Sequence, residues 1–131
     1  MKILKFEDLE IWKLSLKITK AIYDLTSEGK FSKDFGLRDQ IRRAMISVSS
    51  NIVEGFEKRN NNEFIRFLRI AKGSTGEVRN QLYISLMVGY TTKVEFQKVD
   101  EELLKLAGKT GSLINYLEKQ KLTRNTKRAT D

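Results

Sequence analysis

Residues 37–71 read LRDQIRRAMISVSSNIVEGFEKRNNNEFIRFLRIA. At 100° of turn per residue, Leu37, Ile41, Ala44, Met45, Val48 and Ile52 fall within about 100° of arc, the width of a helix core stripe. Beside it runs a polar line of Gln40, Arg43, Ser47, Asn51, Glu54 and Lys58, recurring every three or four positions and so sharing one face. Such a line is either a solvated flank or a hydrogen-bonded seam. The two readings weigh about equally; in favour of a seam, between helices or between subunits, short Ser and Asn side chains are poor choices for an open helix surface. Ile46 and Val53 stand opposite the core, seven residues apart, where an aligned apolar pair suggests a partner.

The corner is Arg59-Asn60-Asn61-Asn62-Glu63. An Asn followed three residues later by Glu, just before an apolar run, is a variant of the capping box and places a helix start at Asn60 or Asn61. Beyond it Phe64, Ile65, Phe67, Leu68, Ile70 and Ala71 spread over about 220° of arc, more than one core requires. That helix is therefore either central to the monomer or wedged between monomers.

The run QIRRAMISVSSNIVEGFEKRNNNEFIRFLRIAKGSTGEV, preceded by FEDLEIWKLS and followed by a GY after the third helix, resembles the 23S ribosomal RNA intervening-sequence protein family. SNIxEGF and EFIRFLxIAxGS stand in the family's order and spacing, and the resemblance spans about residues 6–120. It implies a small four-helix bundle. Members are similar to the accessory variability proteins of diversity-generating retroelements, so it further implies a homopentamer that binds RNA or DNA and engages a reverse transcriptase. The chain departs from the pattern at Ser49, where the family usually has Pro, and at Gly76 and Arg79. The first change removes an expected kink, and the others bear on the interface or charge of the third helix.

Outward from the central stretch, the rest of the chain reads as helix. Its 131 residues suit one domain able to bury a core unaided. Absent Pro with eight Gly favours long uninterrupted helices over a strand-and-turn protein. A first helix is expected from Asp8, as its N-cap, to about Ser27. Its stripe is Ile11, Leu14, Ile18, Ala21, Ile22 and Leu25, widened by Leu9, Trp12 and Leu16. Trp12, flanked by Leu9 and Leu16, reads as a packing residue in preference to a base-stacking platform. Gly29 stops that helix, and Asp34 caps the second. The third continues through Gly73 and Gly76 to about Val88, because Ala71, Thr75, Val78, Leu82 and Leu86 keep phase across them, and small residues there would admit a neighbouring helix. Thr92-Lys93-Val94-Glu95 is a capping box opening a fourth helix with the stripe Val99, Leu103, Leu106, Leu113 and Leu117. Short connections between long helices favour antiparallel neighbours. The expectation is an all-α, up-down-up-down four-helix bundle over residues 1–121, assembling into a homo-oligomeric ring.

Composition narrows the chemistry. With neither His nor Cys, Ser-His-Asp and Cys-His catalysis, disulfides and nearly all zinc sites are excluded. Glu54-x-x-Glu57 is the nearest approach to a di-iron motif and lacks the imidazole. Ala107-Gly108-Lys109-Thr110 mimics the end of a P-loop, but Leu103 occupies the place of its first Gly. The reading is a protein without catalysis or cofactor. The N-terminus lacks a signal-like apolar region and no run approaches a membrane span, so a cytoplasmic location with no membrane partner is expected.

The formal charge of +8 divides evenly. Residues 119–131 contribute five basic groups against Asp131, leaving 20 basic and 16 acidic groups elsewhere. Residues 122–131 read as a basic, disordered tail. On the folded part the candidate nucleic-acid contacts are Arg38, Arg42, Arg43, Lys58, Arg59, Arg66 and Arg69, since an arginine fork can donate two hydrogen bonds to phosphate. Pairing with Asp39, Glu54, Glu57 and Glu63 would compete. The alternative is an oligomeric scaffold or protein adaptor whose charge serves solubility.

Overall fold

The structure, a computed structural model, describes the backbone of residues 3–130 and the side chains of residues 3–121. Four helices carry it: α1 Glu10–Thr26, α2 Phe35–Glu57, α3 Asn61–Met87 and α4 Lys93–Thr130, with short 3-10 turns at Phe6–Asp8 and Phe31–Lys33. No strand occurs among the described residues. The tail expected at 122–131 lies outside the residues whose side chains are described.

Three helix starts follow from local chemistry. The Asp34 carboxylate accepts the Leu37 amide at 3.1 Å, and the Asn60 side chain accepts the Glu63 amide at 3.0 Å. Thr92 and Glu95 cap one another reciprocally, at 2.8 and 3.1 Å. The fourth start departs from expectation. Asp8 ends the 3-10 turn instead of capping α1, whose N-cap is Leu9 with no side-chain bond. α3 runs unbroken through Gly73 and Gly76, and the chain turns at Gly89, whose φ of +81° suits a residue without Cβ.

Cross-helix contacts fix the topology. Thr26 meets Arg42, Gln40 meets Gln81, Ser47 meets Ser74, Arg79 meets Asp100, and Glu10 meets Lys109. The residue numbers run oppositely along each neighbouring pair: Gln40–Gln81 and Ser47–Ser74 for α2 and α3, Arg69–Glu118 and Arg79–Asp100 for α3 and α4, and Glu10–Lys109 and Lys17–Glu102 for α1 and α4. Thr26 at the end of α1 meets Arg42, and Leu4 before α1 meets Arg59 after α2. All four neighbouring pairs are thus antiparallel, which makes an up-down-up-down bundle.

The core stripes of α2 and α3 are those of the sequence reading, with Leu37 only half-buried. In α1 the inner face shifts. Ser15 and Thr26 are fully buried, satisfying their hydroxyls on Trp12 O and Ile22 O, while Leu16 turns outward. Trp12 packs edge-on against Phe6, ring centroids 5.3 Å apart. Toward the end of α4, Leu117 is buried as expected and Ile114 is buried beside it, with Leu113 at the margin. The broad apolar arc of α3 is accounted for within the monomer. Phe64, Ile65, Phe67, Leu68 and Ala71 are buried between α2 and α4, and Ile70 alone of that set is exposed. Among the described residues no helix is long and apolar enough to cross a membrane.

Candidate nucleic-acid interface

α2 runs the length of the bundle, and its two ends carry different groups of the candidate cations. Arg42 and Lys58 lie about 24 Å apart along the helix at 1.5 Å per residue, so the seven candidates do not form one cluster.

At the α1–α2 end the arginines serve the fold. Arg42 donates to Thr26 Oγ1 at 2.8 Å and Ser27 Oγ at 3.2 Å while its guanidinium stacks 4.3 Å from the Tyr23 ring centre. It thereby satisfies the last turn of α1. Arg38 donates to Ser32 O and Asp39, and stacks on Phe35. That bond from Arg38 is the main reason the Asp39 carboxyl is held below its usual range. Desolvation is the next largest influence and opposes it, and the charges of Arg38, Arg43 and Arg42 assist. Arg43 differs from both: it is exposed and makes no hydrogen bond or ion pair among the described residues.

At the α2–α3 corner, cations and rings alternate. Arg59 adopts a left-handed backbone, φ +54°, which reverses the chain after α2. Its guanidinium donates to Leu4 O at 3.1 Å and lies 4.6 Å from the centre of Phe56. Lys58 and Arg66 converge on one ring, Phe67, at 5.8 and 4.4 Å from its centre. Arg66 also pairs with Glu63 at 2.7 Å, and Arg69 with Glu118 at 3.1 Å. Both arginine side chains remain mostly open to solvent, 58% and 62% exposed. Ion pairs at that exposure contribute less than about 1 kcal/mol and exchange readily for another anion.

The corner is built on Gly55, whose importance the helical periodicity does not reveal. A Cβ there would lie 2.6 Å from Phe67 Cβ and 3.2 Å from Phe64 Cδ1. Its absence lets α3 lie directly on α2, with Phe56 and Phe64 meeting edge to face at 5.9 Å. The EGF of the central stretch is thus a helix-contact motif that positions Phe67, and with it Lys58 and Arg66. Gly73 and Gly76 have the opposite surroundings. Nothing lies within 4 Å of a Cβ at either, so no helix of the monomer exploits them.

The polar line of α2 is a seam in part and an open flank in part: Gln40 and Ser47 bond to α3 and Asn51 bonds to Ser47, while Arg43, Glu54 and Lys58 are exposed. Ser47 Oγ meets Ser74 Oγ at 3.1 Å, Asn51 donates to Ser47 O at 2.8 Å, and Gln81 donates to Gln40 at 3.4 Å. Arg79, one of the departures from the resembled pattern, is not a surface charge. It grips Asp100 of α4 through two bonds, at 2.8 and 3.4 Å, and chiefly that hydrogen bonding raises its pKa further.

Comparison with known proteins follows this geometry. A search of curated proteins found no match. Among solved structures, the chain is similar to a protein of unknown function from the S23 ribosomal protein family of Bacteroides thetaiotaomicron. The TM-score is 0.74 at 22% identity, over 80% of this chain and 95% of that one, a likeness of fold. The sequence profile of the 23S rRNA-intervening sequence protein matches residues 7–112, from the turn before α1 through most of α4. The chain belongs to the 23S rRNA-intervening sequence protein family.

Proposed function

We propose that this protein is a non-catalytic, self-associating bundle that binds nucleic acid through the corner between α2 and α3. The supporting observation is the convergence of Lys58 and Arg66 on Phe67. Two like charges held over one ring repel each other, and a phosphate between them turns that repulsion into attraction. Stacking fixes the fork of Arg66 before an anion arrives, which lowers the ordering cost of binding. Arg59 and Arg69 flank this pair. Arg38 and Arg42, already committed to α1 and its connection, contribute long-range charge more than contacts.

Self-association is supported by apolar side chains outside the core. Leu16 and Tyr23 on α1, and Ile46 and Val53 on α2, are two pairs each spaced by seven residues. Leu16, Tyr23 and Ile46 are 42%, 38% and 43% exposed, and Val53 is half-buried. Arg42 joins the two helices at this level by stacking on Tyr23. A homo-oligomeric ring of five and a reverse transcriptase as partner are the assembly and protein partner that the family's likeness to retroelement accessory proteins brings to this reading, with the cytoplasm as its setting. Ring repetition would raise the avidity of weak phosphate contacts.

The test separates the corner from the tail. Binding of a single-stranded RNA is followed by fluorescence anisotropy across a salt series. Deleting residues 119–131 is expected to weaken binding but leave it measurable. Changing Arg66 and Arg69 together to Gln reduces it further and flattens the salt slope by about 1.4, at roughly 0.7 per phosphate contact. Loss of all binding on tail deletion at low salt would leave the bundle as a scaffold or adaptor.

A further inference from the structure

The seam between α2 and α3 opens outward into a recess of about 280 Å³. Arg43 of α2 and Glu77 of α3 line it, both exposed and neither with a hydrogen-bond or ion-pair partner among the described residues. Ser47 and Ser74 bond to each other within it. Gln81 is 8% exposed, and its Oε1 is buried without a partner. The other end of that amide reaches Gln40, so whichever way the amide is turned, one of its polar atoms is unsatisfied.

These groups specify a ligand. An anion suits Arg43, hydrogen-bond donors suit Glu77, and a hydroxyl, which both donates and accepts, suits Gln81 in either orientation. No aromatic residue lines the recess, so it offers a nucleobase nothing to stack on. A sugar hydroxyl beside a phosphate supplies all three groups, and carboxylates commonly accept from ribose 2′-OH. The 2′-OH is also what separates RNA from DNA at a given site.

Building on the nucleic-acid reading above, we propose that this recess receives a ribose–phosphate unit of single-stranded RNA and makes the protein prefer RNA to DNA. Arg43 holds the phosphate. The 2′-OH donates its one proton to the Glu77 carboxylate and accepts from the Gln81 amide, turned so that its nitrogen faces the recess, with Ser47, Ser74 and Gln40 completing the polar surround. The recess lies on the outer side of the α2–α3 pair whose corner carries Lys58 and Arg66, so one strand can leave the corner and run along the seam.

The probes are one single-stranded sequence made as RNA, as DNA and as 2′-O-methyl RNA, titrated against the full chain. The expected result is about a tenfold preference for RNA over DNA, the worth of one hydrogen bond to a charged group, with 2′-O-methyl RNA behaving as DNA. Gln81→Met and Glu77→Ala should each bring the RNA-to-DNA ratio close to one. Glu77 is exposed, so its variant and the 2′-O-methyl probe still decide the matter if the Gln81 variant does not fold. Equal binding of RNA and DNA, or 2′-O-methyl RNA bound as tightly as RNA, overturns the recess assignment and leaves the corner reading standing. Failure to bind any of the three overturns both.

Discussion

Asp34 and Tyr90 are joined by a hydrogen bond of 3.0 Å from the phenol to Oδ2, while the other oxygen of Asp34 caps α2. One carboxylate thus ties the start of α2 to the turn between α3 and α4. Tyr90 also packs on the buried Phe31, ring centroids 5.5 Å apart. The bond to Asp34, then burial, then the charge of Asp34 push the Tyr90 phenol above its ordinary value.

The sign of the pH effect follows. A phenol whose folded pKa exceeds its unfolded value of about 10 holds its proton more firmly when native. Its contribution to stability is complete below about pH 10 and is lost as the pH rises through the folded value. Tyr90→Phe should lower the melting midpoint near neutral pH and lose less stability than the parent as the pH rises above about 10. Every other residue is common to both proteins, so the difference between the two curves is the readout. Parallel curves across that range would refute the coupling.

The glycines give a paired prediction with opposite signs. Gly55→Ala sets a methyl against Phe67 and the backbone of Phe64, 3.4 Å from its carbonyl oxygen. Overpacking of this kind costs about 1–3 kcal/mol, enough to cancel or exceed the gain in helix propensity of roughly 1 kcal/mol. Gly73→Ala meets open space and should stabilise by up to about 1 kcal/mol. Urea unfolding of the two variants measures both. A stabilised Gly55 variant would mean that the helices do not approach as described.

The contrast between these glycines shows what one-dimensional reading resolves. Caps at Asp34, Asn60 and Thr92 were legible because they depend on neighbours within four residues. So were the stripes of α2 and α3, where strong periodicity averages out error. Leu16 and Asp8 depart from the pattern, and Leu113 keeps to the edge of the core. The facing helix, not the helix's own pattern, decides which margin of a stripe is covered, and a 3-10 turn displaces the N-cap of α1 by one residue, from Asp8 to Leu9. The partners of the candidate cations are not legible in one dimension, because sharing a helix face does not fix which residues of a neighbouring helix a side chain meets. Arg42 belongs with Thr26, and Arg66 with Phe67, pairings set by the antiparallel register. Arg79 was read as a change in interface or surface charge because its partner Asp100 lies on another helix.

That pair gives the third prediction. Asp100 is buried and holds Arg79 by two bonds across α3 and α4. Asp100→Ala strands a partly buried guanidinium and should cost about 1–3 kcal/mol. Replacing both, Arg79→Met with Asp100→Leu, should restore much of that loss, because two apolar groups of similar shape leave nothing unsatisfied. A double-mutant cycle by thermal unfolding reports the coupling. Strictly additive losses would show that the pair contributes no coupling.

Self-association is the prediction on which the wider reading turns. α3 conceals most of its broad apolar arc inside the monomer, so the case for a partner passes to Leu16, Tyr23, Ile46 and Val53 on the α1–α2 face. An apolar patch on such a basic protein would be covered by a second copy only if that copy brings apolar surface, because like charge opposes approach. Ile46→Glu and Leu16→Glu place charge on exposed positions and leave the core intact. Each should dissociate the oligomer at micromolar concentration, seen by light scattering, while far-UV circular dichroism and the melting curve of the separated chains still report a folded helical bundle. The same variants should lose RNA affinity even though neither position touches the corner, because separated chains bind with one corner each instead of several. If the parent chain itself scatters as a monomer, the ring is refuted. If the variants stay assembled, the interface lies on another face, with Ile70 and the open flank of α3 at Gly73 as the alternative contact.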